Sequence, residues 1–242
     1  MVKADIGTDI KRIALMNRYS VIDTVMPREF VLLQGKGCRW RRCRFCDYHT
    51  DTSADPFETN RKVLEQVTGI YGTLDIINSG SAMELDERTI ELIKNIVTER
   101  KIHTLWFEAH YMYRNRLKDF ASQFAPADVK FRCGVESFDA GMRRRWNKGI
   151  AENVTPDDIA KYFKGVCLLC CTDGDSKKRI LQDIAIAKDK FEYFSINLFC
   201  NNSTSIRRDN ALAEWFTNEV YPTLKECDGI EVLLNNEDLG VG

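Results

Sequence analysis

The stretch Arg28-Glu-Phe-Val-Leu-Leu-Gln-Gly-Lys-Gly-Cys38-Arg-Trp-Arg-Arg-Cys43-Arg-Phe-Cys46-Asp-Tyr-His-Thr-Asp51 runs from a short β-rich segment through two glycines into three cysteines spaced C-x4-C-x2-C. A tight loop has no interior in which to hide three thiols, so this spacing points to a metal centre and not to core packing. Structural zinc takes four ligands, commonly from two cysteine pairs, whereas the local count here is three. His49 or Asp47 would complete a zinc site. A [4Fe-4S] cluster on three cysteines instead leaves one iron open to a non-protein ligand, an arrangement suited to an enzyme. Arg39, Arg41, Arg42 and Arg44 stand beside the cysteines and are expected to lower the thiol pKa values.

Outward from this loop the chain alternates. Apolar, β-prone runs at 30–34, 74–78, 103–108, 130–135, 165–171 and 191–199 read as strands. Helical patterns over 57–70, 85–99, 112–123, 176–190 and 211–226, with another ending near Asn147, separate or follow them. Six such units predict an α/β fold, a partial (βα)6 TIM-like barrel with parallel strands and outer helices. Residues 230–234 add an edge strand, and 5–24 read as a leading helix before the cluster loop at 35–51. With no internal linker or low-complexity stretch, residues 1–242 are expected to form a single domain.

Composition narrows the function classes. A formal charge of −1 argues against non-specific nucleic-acid binding, which needs a basic surface. No apolar run approaches the roughly 18–20 residues of a membrane span. Nine cysteines behind an N-terminus without a signal-peptide core point to a reducing cytoplasm. Cys167, Cys170 and Cys171 lie in a continuous apolar strand and read as small core hydrophobes, not as a second metal site.

In parallel sheets of this kind chemistry gathers at the carboxyl ends of the strands. Polar residues do cluster there: Cys38, Ser79-Gly80-Ser81, Glu108, Glu136, Thr172-Asp173 and Asn197. Each has a plainer reading. Ser79-Gly80-Ser81 is also an ordinary βα turn, Glu108 a partner for Arg114 or Arg116, and Ser137 or Asp139 a helix cap.

The cysteine loop resembles the cluster motif of the radical S-adenosylmethionine (SAM) superfamily, with Phe45 in the aromatic place before the last cysteine and one residue more than usual in the first gap. The resemblance implies a [4Fe-4S] cluster on Cys38, Cys43 and Cys46 that binds SAM, with reductive SAM cleavage to a 5′-deoxyadenosyl radical. It implies cofactor contacts from Phe45, Ser79, Gly80, Ser81, Glu108, Glu136, Ser137 and Asn197, with Arg143 to Arg145 as anion partners. It also implies an external one-electron reductant such as flavodoxin or ferredoxin.

Within the superfamily, the Cys-x-Phe-Cys-Asp-Tyr-His-x-Asp segment, the Ser-Gly-Ser turn and the length are most similar to the queuine lyases of queuosine salvage. That implies a small 7-deazaguanine substrate, with Asp47, His49, Asp51, His110 and Asp173 as candidate contacts and no residue singled out as catalytic acid or base. Two alternatives stay open: a radical SAM enzyme acting on another small metabolite or activating a partner enzyme, and a non-catalytic zinc or iron-sulfur protein.

Overall fold

The computed structural model describes residues 16–241. Its strands are β1 (Tyr19–Ile22), β2 (Arg28–Leu33), β3 (Thr73–Asn78), β4 (Thr104–Glu108), β5 (Asp128–Glu136), β6 (Gly165–Cys170), β7 (Tyr193–Leu198) and β8 (Ile230–Leu233). They form one sheet in chain order, with β1 antiparallel to β2 and every later pair parallel. The six expected parallel strands are β2 to β7, and the expected edge strand is the seventh, β8. The result is a curled, open half-barrel.

Strand alternation sorts the side chains. On β2, Val31 and Leu33 join the large apolar layer beneath the helices, with Val63, Leu64, Ile90 and Ile93. Phe30 and Leu32 point the other way, into the barrel, where Val241 and Leu239 of the C-terminal segment pack on them. The helix Glu87–Glu99 shows how sequence fixes an outer element. Asp86 caps it by accepting from the Thr89 N–H, and Ile90, Ile93, Ile96 and Val97 form its buried stripe.

Three expectations need correction. The described part of the expected leading helix is the strand β1, while residues 5–15 lie outside the described residues. The helix expected over 112–123 opens as a 3-10 turn, Tyr111–Arg116, before the α-helix Leu117–Ala121. The closing helix changes to a π turn at Phe216–Val220. That wider turn accommodates Pro222, whose ring and missing N–H disrupt a regular helix.

The barrel floor is charged. Arg28 donates from Nε to Asp75 (2.8 Å) and from Nη2 to Glu231 (2.7 Å), and Arg132 grips the two Asp75 oxygens at 2.6 and 2.8 Å. All four residues are buried. Because β2 and β8 lie at opposite sides of the open sheet, the Arg28–Glu231 pair ties them together across the interior. Among the described residues no helix is long and apolar enough to cross a membrane.

Candidate active site

The cysteine loop lies over the carboxyl ends of the strands because three neighbours hold its backbone. Arg44 N–H donates to Trp146 O (2.9 Å), the Asn147 amide to Arg42 O (3.0 Å), and the Asn202 amide to Phe45 O (2.7 Å). Phe45 is buried against Trp146, Met142, Leu169, Phe199 and Ile206, a small core separate from the main one. It thus anchors the loop. Asp47 accepts from the Ser203 N–H and hydroxyl, fastening the loop's far side to the segment after β7.

Cys38, Cys43 and Cys46 are half-buried free thiols. Burial pushes Cys43 up to about 11 and Cys46 up to about 12, and the cation that opposes this is Lys148. The four neighbouring arginines are exposed, and none is among the main groups that oppose the burial of Cys43 and Cys46. Arg41 contributes otherwise, its N–H lying 3.4 Å from the Cys38 sulfur. Among the described residues no three His, Cys, Asp or Glu side chains close around a single metal ion. As a donor set, three thiols on one loop with a backbone N–H aimed at one sulfur fit an iron-sulfur cluster.

Beside the cysteines sits a charged trio. Glu108, Glu136 and Lys148 converge above Gly134, where a β-carbon would lie 3.2 Å from Glu108 Oε1, 2.9 Å from Glu136 Oε1 and 3.1 Å from Lys148 Nζ. Lys148 pairs with Glu136 at 2.8 Å. A bulge between Gly134 and Glu136 turns this carboxylate toward the lysine, and Glu136 adopts a left-handed φ of 64°. Glu108 is 3.8 Å from Arg132, not paired with Arg114 or Arg116, and keeps a third of its side chain open (34%). Enclosure by the barrel wall raises its carboxyl pKa, and Arg132 offsets part of that rise.

The Ser-Gly-Ser turn is fixed in place by its side chains. Ser79 Oγ accepts from Gly35 N–H (3.1 Å) and Ser81 Oγ from His110 N–H (3.0 Å), so both hydroxyls lace the turn to its neighbours. A β-carbon on Gly80 would meet the Glu84 carboxylate at 2.2 Å and Cys38 Cα at 3.2 Å. Glycine is thus what lets the cluster loop close on this turn.

Other candidates are engaged elsewhere. Ser137 is fully buried and accepts from Asp139 N–H (3.0 Å), while Asp139 caps the following helix. Arg143 holds backbone carbonyls of Phe138 and Val154, and Arg144 and Arg145 pair with Glu152 and Asp173. None of the three is a free anion partner. Asp51 is buried against Arg18 (2.7 and 2.9 Å) and Gln34 (3.0 Å), fixing the loop's end. Asp173 accepts from Arg145 (3.0 Å) and Arg207 N–H (3.2 Å). His49 sits half-buried in the 3-10 turn Tyr48–Thr50. Asn197 donates to Leu168 O at 3.1 Å, and Cys167, Cys170 and Cys171 are buried, in line with core packing.

His110 is a neutral scaffold group. Its Nδ1 accepts from Met112 N–H (3.1 Å), which leaves Nε2 to donate to Lys148 O (2.7 Å). Burial first, and the Lys148 charge second, push its pKa from 6.5 down to about 4. The unfolded chain therefore takes up a proton near pH 6.5 that the folded chain refuses until about pH 4. The stability tied to neutral His110 is complete above pH 6.5 and declines as the pH falls toward 4. Between pH 7.5 and pH 5 the apoprotein is expected to lose about 2 kcal/mol from this residue. Thermal melts across that range check it: His110→Asn should flatten the slope, and parallel curves for the two proteins would remove the assignment.

Lys148 and Trp40 were not singled out from the sequence, although both lie in stretches that were. A lysine inside an Asn-Lys-Gly turn after a strand-end glutamate was the available signal for the first.

The fold and this mouth have a counterpart among solved structures. The chain is similar to the queuine lyase from Clostridium spiroforme bound to SAM and queuine, with 39% identity and a TM-score of 0.89 over 94% of this chain and 99% of that one. No protein-family model and no curated protein sequence matches it. At that identity over nearly the whole of both chains, this protein belongs to the queuine lyase family of the radical SAM superfamily.

Proposed function

We propose that this protein is a radical SAM lyase that cleaves queuine, or a closely related 7-deazaguanine, to preQ1. The observation that carries this reading is the full-length likeness to a queuine lyase, joined to three free thiols on one loop at the strand ends. Cys38, Cys43 and Cys46 would hold a [4Fe-4S] cluster, which with SAM bound would supply one-electron radical chemistry.

The chain's own residues bind and orient. Lys148, paired with Glu136, places a fixed positive charge beside the cysteines, suited to the negative charge of a thiolate-bound cluster. Asn78 to Ala82 and Glu136 form the SAM side of the mouth. Glu108, with Arg132 at 3.8 Å and Lys148 nearby as its cationic neighbours and part of its carboxylate open, is the acceptor for the N–H edge of a deazaguanine ring. The apolar wall around Phe45 keeps water from the reacting carbon. An external flavodoxin or ferredoxin delivers the electron. Arg39, Arg41, Arg42 and Arg44 give the exposed face of the loop a positive charge that suits an acidic carrier.

The test is anaerobic reconstitution and reduction, with SAM present and queuine added or withheld, read by mass spectrometry. The expected result is 5′-deoxyadenosine that rises with queuine, together with preQ1. Formation of 5′-deoxyadenosine without preQ1 at any queuine concentration would reject the substrate.

A further inference from the structure

The gap between Cys38 and Cys43 holds four residues, Arg39, Trp40, Arg41 and Arg42. Its path is unusual in one place: Arg41 takes a left-handed φ of 36°, which a chain adopts only when its surroundings require it. What the path achieves is the seating of Trp40. The indole N–H donates to Asn147 O (2.8 Å), and the ring stacks on His110 at 5.9 Å and 18°. A β-carbon on Gly149, itself at φ +77°, would lie 2.4 Å from the indole. Only glycine leaves room for that ring.

The surface that receives Trp40 is the turn that carries Lys148. Residues 146 and 147 also hold the loop through the Arg44 N–H and the Arg42 carbonyl. His110, under the indole, donates from Nε2 to Lys148 O and from its backbone N–H to Ser81 Oγ. Trp40 therefore links three parts of the mouth: the cysteine loop, the Ser-Gly-Ser turn and the Lys148 turn.

We infer that the four-residue gap serves to seat Trp40 as a positioning residue, docking the cluster loop on the 146–149 turn and holding Cys43 and Cys46 opposite Lys148. This inference rests on the cluster assignment above. It concerns the loop's docking and needs no contact between Trp40 and any ligand.

The test uses reconstituted holoenzyme and follows iron release to a chelator, with the electron paramagnetic resonance spectrum of the reduced protein recorded with and without SAM. Supports around a metal centre typically change its retention by about 10–100-fold. Trp40→Ala is accordingly expected to release iron at least about tenfold faster and to alter the SAM-dependent spectrum. Trp40→Phe, which keeps the stack on His110, should recover most of the retention. Trp40→Leu, which keeps apolar bulk but loses both the N–H bond to Asn147 and the stack on His110, should reproduce the Trp40→Ala behaviour.

Iron release and spectra unchanged in Trp40→Ala would overturn the inference. So would a lowered melting temperature of the apoprotein with unchanged iron release, since that is a merely structural role. If Trp40→Ala fails to fold, Trp40→Leu decides on the same readouts. Failure of the wild-type protein to take up a cluster would reject the proposed function instead, so the two failures are distinguishable.

Discussion

A Cys43→Ala variant is expected to assemble no stable cluster and to form 5′-deoxyadenosine only at background, with Cys46→Ala behaving alike. The reason is that, among the described residues, no other thiol stands free to replace it. Cys133, Cys167, Cys170 and Cys171 are buried in the strands or at their ends, and burial holds the thiols of Cys133 and Cys167 well above the ordinary range. Cys200 and Cys227 lie on other segments, with their sulfurs directed at the Leu198 and Thr223 carbonyls. A cubane bound by two thiolates exposes a second iron and is readily lost. Cys227→Ser, far along the chain and outside the loop, serves as the control and should keep wild-type iron content. Visible absorbance, iron and sulfide analysis, and product formation together decide the matter. Retention of cluster and SAM cleavage in Cys43→Ala would remove this thiol from the ligand set.

The sequence was most readable where one local signal determined the outcome. Strands β2 to β7 are apolar runs bounded by turn residues, and the helix Glu87–Glu99 carries both a cap and a stripe, so their types followed from pattern alone. The cysteine loop was readable because thiols at close spacing have few other uses. What the pattern hid depends on distant partners. Strand β1 is four residues long and exists through its pairing with β2, a partner that no local pattern announces. The cation opposing thiol burial proved to be Lys148, about a hundred residues from the cysteines, whereas the arginines beside them face solvent. Adjacency in sequence says little about which charge a side chain meets. Asp51 and Asp173 read as candidate substrate contacts for the same reason: their internal partners lie on other segments.

The barrel floor yields the largest expected effect on stability. Asp75 interrupts an apolar strand and, from sequence, looks like a solvent-facing residue; in the fold it is fully buried between two arginines. Asp75→Ala would leave the Arg28 and Arg132 guanidiniums sharing the remaining carboxylates, Glu231 and the more distant Glu108. Breaking a buried pair by removing one partner typically costs about 3–5 kcal/mol, because the stranded charge keeps its desolvation penalty. For a domain of this size that corresponds to a fall in melting temperature of roughly 10 °C. Glu231→Gln is expected to cost less, since Arg28 retains Asp75 and the amide oxygen still accepts from the guanidinium. The two carboxylates have separate roles: Asp75 balances the arginines, while Glu231 joins β8 to β2. Glu231→Ala, which cuts that tie where Glu231→Gln keeps it, should weaken SAM binding more than its loss of stability suggests, and Asp75→Ala should chiefly lower the melting temperature. Thermal melts paired with SAM titrations measure both, and an Asp75→Ala protein melting within two or three degrees of wild type, roughly 1 kcal/mol, would show that the buried arginines find other compensation.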